Sequence, residues 1–162
     1  MISPATCRSP QSCRYCTRIN ITGHIRSHST GCRHKIKKQV NCKSNNLIYC
    51  LQCHVCQKQY IGQTKRTIME RFSAHFYNII KCKTNDNIGE HFNTYPHQGE
   101  PLFSISVLEF IHSPPNSEDT TNFRLKRESH WIHLLRTTSP QASTLWTPPH
   151  GNPYSTLASL SI

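Results

Sequence analysis

The chain has 162 residues, of which 35% are hydrophobic, with nine cysteines, ten prolines and a formal net charge of +11. No apolar run is long enough to span a membrane, and the N-terminus lacks the apolar core of a signal peptide. We therefore expect an intracellular, nuclear protein with no membrane partner. In that compartment, cysteines are expected to be reduced or metal-bound rather than paired in disulfides.

The positive charge is concentrated in the first part of the chain. Twelve lysines and arginines, and no acidic residue, precede Glu70. A segment with charge of one sign suits a polyanion, so nucleic acid is the expected partner. The alternative interpretation is a basic tail that confers only solubility.

Composition divides the chain into four segments. Residues 1–12 and 138–162 are predicted to be disordered, and the second of these has four prolines and no charged side chain. Residues 13–44 form a basic lead-in rich in Cys and His, in which the only regular pattern is a possible short strand near Ile36–Val40. The regular patterns of a folded domain occupy residues 45–137.

The first half of this domain predicts a hairpin followed by a helix. The stretches NLIYCLQ and KQYIGQ indicate buried strands, and the short connection CHVC between them favours antiparallel pairing. Thr64 or Thr67 is expected to cap a helix that ends near Lys83. The helix has an apolar face formed by Ile68, Phe72, Phe76, Ile79 and Ile80.

The second half predicts a short helix, a strand and a long helix. IGEHFN indicates one or two helical turns, and in PLFSISVLEFI apolar residues alternate with serines, which is the period of a strand. The long helix is predicted from about Asp119 to Arg136, with apolar positions at Phe123, Trp131, Leu134 and Leu135. The expected fold class is α+β, with a small three-stranded antiparallel sheet flanked by helices.

Several short motifs in this order resemble the GIY-YIG nuclease family. The second tyrosine motif is intact as YIG at residues 60–62, and LIY at residues 47–49 stands where GIY is usual. The segment TKRTIMERFSAH is similar to the catalytic helix of the family, and LKRESHWIHLLRT to the segment with its metal-binding glutamate. The resemblance implies these site residues: Tyr49, Tyr60, Gly62, Arg71, His75 and Glu128.

The resemblance also implies a role for each group. Arg71 would clamp the scissile phosphate, and Tyr49, alone or with His75, would deprotonate water. Glu128 would hold Mg²⁺ or Mn²⁺, with Glu109 as the alternative carboxylate. A glycine after Tyr60 and Ile61 would let the backbone turn closely beneath the site.

The resemblance is closer to one branch, the endonuclease domain of Penelope-like retroelements. That branch has two cysteines between its tyrosine motifs, as Cys53 and Cys56 here, and paired histidines that match His91 and His97. It implies a metal-dependent endonuclease that nicks DNA for retroelement insertion. The branch has Pro-x-Gly-Leu-Asn after the last helix, and this chain has Thr144 at the Asn position. The alternative is a zinc-stabilised, catalytically inactive nucleic-acid-binding remnant.

The spacing of Cys and His independently predicts zinc. Cys53-x-x-Cys56 and the pair His91 and His97 together provide four ligands of the kinds that bind zinc tetrahedrally. The alternative is free buried thiols and exposed histidines.

A second zinc half-site is predicted at Cys13 and Cys16, and the sequence does not choose its remaining ligands. The candidates are His24, His28, Cys32, His34 and Cys42. Cys7, Cys50 and Cys82 are expected to remain unpaired.

Overall fold

The computed structural model describes Cys7 and residues 13–83, 85–94, 96–97, 99–112 and 119–137. The tail predicted at residues 138–162, Thr144 included, lies outside the described residues, as do residues 1–12 apart from Cys7.

The described part of the chain forms five strands and three α-helices. In chain order these are β1 (His24–Arg26), β2 (Arg33–Lys35), β3 (Leu47–Cys53), β4 (Gln59–Thr64), α1 (Ile68–Ile80), α2 (Asn87–Asn93), β5 (Phe103–Phe110) and α3 (Thr120–Leu135). A short 3-10 turn covers Cys16–Arg18. None of the described helices is long and apolar enough to cross a membrane.

The central sheet is antiparallel, with strand order β4–β3–β5, and β1 pairs with β2 in a separate hairpin. On the β3–β4 ladder, Tyr49 lies opposite Gly62 and Leu51 opposite Tyr60. The predicted α+β class and the order strand, strand, helix, short helix, strand, long helix are confirmed.

The sheet is covered on both faces. One face packs against α1 and α2 through a core that includes Leu47, Leu51 and Phe72. The other face, with Ile48 and Cys50, packs against α3. Because side chains alternate between the two faces of a strand, a strand covered on both sides reads as one apolar run. This explains the sequence LIYCL in β3.

α1 begins and ends for local reasons. Thr67 and Glu70 form a capping box, in which each side chain accepts a hydrogen bond from the other's backbone N–H. Cys82 takes a positive φ of 48° just beyond the last turn, so the helix ends at Ile80 rather than near Lys83. The prediction that Ile80 belongs to the core is wrong, since it is 68% exposed.

α3 begins and ends close to the predicted residues, with Asp119 as the N-cap and Arg136 as a left-handed C-cap. Trp131 and Leu135 are buried as predicted. Leu134 is exposed, because it lies about 100° around the helix from Leu135 and faces away from the sheet.

The basic lead-in packs on both faces of the sheet, since Ile19 joins the core beside α1 and α2. Ile25 of β1 and Ile36, just after β2, join the core cluster that contains Trp131. The Ser27 hydroxyl donates to the Leu135 carbonyl at 2.8 Å, and Ile19 bridges to Ile105 of β5. The lead-in and the domain therefore share one core.

The short strand predicted near Ile36–Val40 is displaced in the structure. The strand lies just before it, at Arg33–Lys35, and pairs with His24–Arg26. Three-residue strands are too short for an alternating pattern to locate them.

Candidate active site and metal clusters

Tyr49 lies at the centre of the candidate site and is only 1% exposed. Its hydroxyl oxygen accepts a hydrogen bond from Arg71 Nε at 2.9 Å and lies 2.9 Å from His75 Nε2. A guanidinium only donates, so the hydroxyl proton is free to point to His75. In that arrangement Nε2 is the unprotonated ring nitrogen of His75.

The electrostatics of this chain agree with that assignment. Burial, together with the Arg71 charge, holds the pKa of His75 well below its ordinary value, so the imidazole is neutral and can accept a proton. Burial raises the pKa of Tyr49, and the adjacent Arg71 charge opposes that rise. Before reaction the Tyr49 hydroxyl is therefore protonated. It contacts both a proton acceptor, His75, and a stabilising cation, Arg71.

Tyr60 and Gly62 complete the strand side of the site. The Tyr60 ring lies 6.3 Å from that of Tyr49 and 6.4 Å from that of His75. A Cβ on Gly62 would come within 2.6 Å of the Tyr49 hydroxyl and 2.8 Å of the Tyr60 ring. The prediction of a backbone turn at Gly62 is wrong, because β4 continues to Thr64. Glycine is required there for space rather than for conformation.

Glu128 comes from α3 and lies beside the same group. Burial raises its pKa to about 7, against the opposing effects of the Arg71 charge and a hydrogen bond from the Gln63 backbone. Its charge also acts on Tyr49 and Tyr60. The structure thus brings together the five predicted side chains of the tyrosine cluster. They are Tyr49, Tyr60, Arg71, His75 and Glu128.

The alternative carboxylate, Glu109, is engaged elsewhere. Its oxygens accept from Arg127, the shorter contact being 2.8 Å, and from Trp131 Nε1 at 2.9 Å. A carboxylate with these partners is held by a structural ion pair and an indole. Of the two predicted carboxylates, Glu128 is the one beside Arg71.

A cavity of about 320 Å³ opens beside Arg71. Its lining is Gln63, Thr64, Lys65, Arg66, Glu70, Arg71, Ala74 and Arg124. The one acid among them, Glu70, is occupied by the Thr67 backbone N–H and hydroxyl. The cavity is therefore strongly basic.

Arg124 is a buried lining residue that the sequence did not single out. It is only 5% exposed, and its three nitrogens donate to Gln63, Asn46 and Thr121, all neutral acceptors. Three of its five N–H groups are used in this way. A spacing of one helical turn from Glu128 is the only sequence signal that could have identified it.

Cys53, Cys56, His91 and His97 form the Cys/His cluster, in which one ligand atom from each lies within 4.8 Å of the others. His97 Nδ1 lies 3.1 Å from the Thr94 carbonyl, so it carries the proton, and the buried Nε2 has no hydrogen-bond partner among the described residues. Burial lowers the pKa of His91 to about 4, so its ring is neutral. Two imidazoles beside two thiols, with the unpartnered Nε2 of His97 among them, fit a zinc ion.

A second group, the all-cysteine cluster, consists of Cys7, Cys13, Cys16 and Cys42, whose sulfurs also lie within 4.8 Å of one another. Of the predicted candidates only Cys42 joins the half-site, and Cys7, expected to be unpaired, is the fourth member. A hydrogen bond from the Cys16 backbone lowers the pKa of Cys13 to about 7, which favours the thiolate that binds metal.

The all-cysteine cluster lies against the start of α1. The Cys42 carbonyl accepts from the Met69 N–H, and the Ser44 carbonyl accepts from the Ile68 N–H, both at 2.9 Å. Two N–H groups of the first helical turn, which have no partner inside the helix, are satisfied in this way. The cluster is thereby linked to the helix that carries Arg71.

The GIY-YIG catalytic domain model matches residues 45–141, which is more than half of the chain, and the chain belongs to that family. The catalytic domain of the homing endonuclease I-TevI is similar at 21% identity and a TM-score of 0.38, over 56% of this chain and 87% of that one. A glutamate-to-alanine mutant of the catalytic domain of the intron endonuclease I-TevI is also 21% identical, with a TM-score of 0.40 over 56% of this chain and 84% of that one. No curated protein matches the chain.

Proposed function

We propose that this member of the GIY-YIG family is a metal-dependent endonuclease that nicks DNA. The observation that carries the proposal is the Tyr49 hydroxyl, held between the Arg71 guanidinium and the neutral His75 ring with Glu128 alongside. Hydrolysis of a phosphodiester needs a proton acceptor for water and positive charge at the phosphate. These four side chains provide both.

The proton route follows from the hydrogen bonds. As the Tyr49 hydroxyl gives its proton to His75 Nε2, its oxygen takes one from the attacking water. The Arg71 charge stabilises any negative charge on the tyrosine oxygen during this transfer. The water oxygen then bonds to phosphorus, the bond to the leaving oxygen breaks, and that oxygen takes a proton from solvent.

The basic cavity is the proposed place for the phosphates. Arg71 uses Nε for Tyr49 and lines the cavity, so its terminal amines can bind the scissile phosphate in the planar manner of a guanidinium. Arg124, fixed by Gln63 and Asn46, is proposed to contact a neighbouring phosphate. A buried guanidinium with only neutral partners favours an anion nearby.

Glu128 is proposed to hold Mg²⁺ or Mn²⁺, because it is a partly buried carboxylate beside Arg71 and hard cations prefer carboxylate oxygens. Such an ion stabilises charge on the phosphate and the leaving oxygen when it is bound. The pKa of about 7 means that protons compete for this carboxylate near neutrality.

Both sulfur-containing clusters are proposed to hold structural zinc. The Cys/His cluster would join the β3–β4 hairpin to α2, and the all-cysteine cluster would join the lead-in to α1. Four protein ligands leave no open position for a substrate, which is typical of structural sites. Purified protein is expected to contain about two zinc ions per chain, measurable by atomic emission.

A Penelope-like retroelement origin and a nuclear location form part of the proposal. The cysteine pair between the two tyrosine strands and the histidine pair in and after α2 support the origin. The inactive remnant remains the second candidate, favoured by the altered first motif. Against it, Leu47 is fully buried in the core opposite Thr64, so its side chain takes no part in the tyrosine cluster.

The nicking of a supercoiled plasmid tests the function. The natural chain should convert the plasmid to open circles with Mg²⁺ and not without it. Glu128→Gln should abolish nicking and keep DNA binding, while Glu100→Gln, an exposed acid outside the cluster, should match the natural chain. Binding without nicking by the natural chain would favour the remnant.

A further inference from the structure

We infer that the exposed face of the β1–β2 hairpin is a second DNA-contact surface that binds the phosphate backbone of duplex DNA beside the active site. The inference rests on the proposed DNA nuclease function. It adds the path of the DNA across the protein surface. The basic face is defined as His24, Arg26, Arg33 and Lys35.

The hairpin register brings like charges together on one side. Arg26 lies directly opposite Arg33, and His24 opposite Lys35. Arg26, Arg33 and Lys35 are exposed, and neither arginine contacts a carboxylate within the described part of the chain. Like charges at directly opposed positions destabilise a strand pair. An anion lying across the hairpin removes that repulsion.

The opposite side of the hairpin holds it rigidly to the domain. Ile25 is buried, and its cross-strand partner His34 packs edge-on against Trp131. Gln59, the first residue of β4, donates to the Arg26 carbonyl at 2.7 Å. The basic side chains therefore project from a fixed surface, unlike those of a solubilising tail.

The hairpin also lies close to the tyrosine cluster. Ser27, next to β1, is bonded to the Leu135 carbonyl at the end of α3, seven residues beyond Glu128. Seven residues of helix span about 10 Å. That distance equals about three base-pair steps of duplex DNA. A duplex of a few base pairs is therefore long enough to span the distance from Glu128 to the hairpin.

The chemistry of the face favours a duplex backbone over other nucleic-acid features. Guanidinium and ammonium groups contact phosphates, and such contacts carry no sequence information. Between Asn20 and Lys38 the chain has no Phe, Tyr or Trp on which unpaired bases could stack. Binding at this surface should therefore be independent of sequence and sensitive to salt.

The test compares two double variants of the full chain. Arg26→Gln with Arg33→Gln removes two charges from the basic face. Lys81→Gln with Lys83→Gln removes two exposed charges just beyond the end of α1 and serves as the matched control. The dissociation constant for a short duplex is measured from about 50 to 200 mM salt, and the slope of log affinity against log salt should fall by about 2 for the first variant.

The control should retain the slope of the natural chain. Nicking at saturating DNA should be unchanged in the hairpin variant, because the variant residues lie outside the tyrosine cluster. Its melting temperature should equal or exceed that of the natural chain, since the repulsion is relieved. A slope equal to that of the natural chain would overturn the inference.

Two further outcomes separate this surface from the nuclease proposal. If the natural chain binds but does not nick, and the hairpin variant still loses slope, the surface stands and the nuclease function fails. If DNA binding is unchanged while affinity for single-stranded RNA or vesicles of anionic lipid falls, the basic face serves another partner and the inference is overturned.

Discussion

The tyrosine cluster and the Cys/His cluster both place polar groups in the interior of a small domain. Their effects on the stability of the fold are opposite. In the first, burial raises the pKa of Glu128 to about 7, so the folded chain resists the charged carboxylate. In the second, two imidazoles and two thiols place one ligand atom each within 4.8 Å of the others, and burial keeps the His91 ring neutral. We infer that the first cluster costs stability and serves chemistry, while the second stabilises the fold once a cation occupies it.

Removal of a zinc ligand should have the largest effect. Cys53→Ser is expected to lose one zinc ion and several kcal/mol of unfolding free energy, since metal binding and folding are coupled in structural sites. Zinc content and urea unfolding measure this, with the exposed Cys82→Ser as control. Unchanged zinc and stability in the Cys53 variant would remove the distinction between the two clusters.

Tyr49→Phe should reduce nicking far more than it reduces the stability of the fold. Nicking is expected to fall roughly 10²–10⁴-fold, which is the usual contribution of a proton-transfer group, while DNA affinity stays the same. The fold should lose about 1–3 kcal/mol, because Arg71 Nε and His75 Nε2 are left without their shared partner. Tyr77→Phe, at an exposed tyrosine of α1, is the matched control for nicking rates and urea unfolding. Full activity in the Tyr49 variant would exclude it from proton transfer.

The pH dependence of unfolding for Glu128→Gln tests how much stability the burial of this carboxylate costs. A carboxyl with a pKa of about 7 in the folded chain and 4.5 unfolded contributes stability below pH 4.5 that is lost as pH rises through 7. The stability gained by the glutamine variant should therefore grow by about 2 kcal/mol between about pH 5.5 and pH 8. Urea unfolding without added Mg²⁺ measures it. A gain that does not change with pH would show that burial of this carboxylate costs nothing.

Arg124→Gln should give the smallest effect of the four. It removes one proposed phosphate contact, so the slope of log affinity against log salt should fall by about one. Lys126→Gln, at an exposed position of α3, removes the same charge from elsewhere on the helix. Equal slopes in the two variants would make Arg124 a purely structural residue that joins Gln63, Asn46 and Thr121.

Local patterns in the sequence determined the order of elements and the short-range parts of each site. The capping box at Thr67 and Glu70 and the shared helix face of Arg71 and His75 depend only on backbone geometry within one turn. The Cys-x-x-Cys pairs are equally local. The resemblance of the motifs to the family then added Glu128, which composition alone does not distinguish from other helical acids.

Tertiary structure alone decided which residues that are far apart in the sequence lie close together. Cys7 and Cys42 joined the second cysteine pair, Arg124 reached the cavity, and the lead-in packed into the core through Ile25. Apart from the one-turn spacing between Arg124 and Glu128, no period or spacing in the sequence marks these positions, because they depend on how separate elements pack rather than on the geometry of one. Gly62 is the clearest instance. Its requirement comes from the Tyr49 ring on the neighbouring strand, which only the register of the folded hairpin brings opposite it.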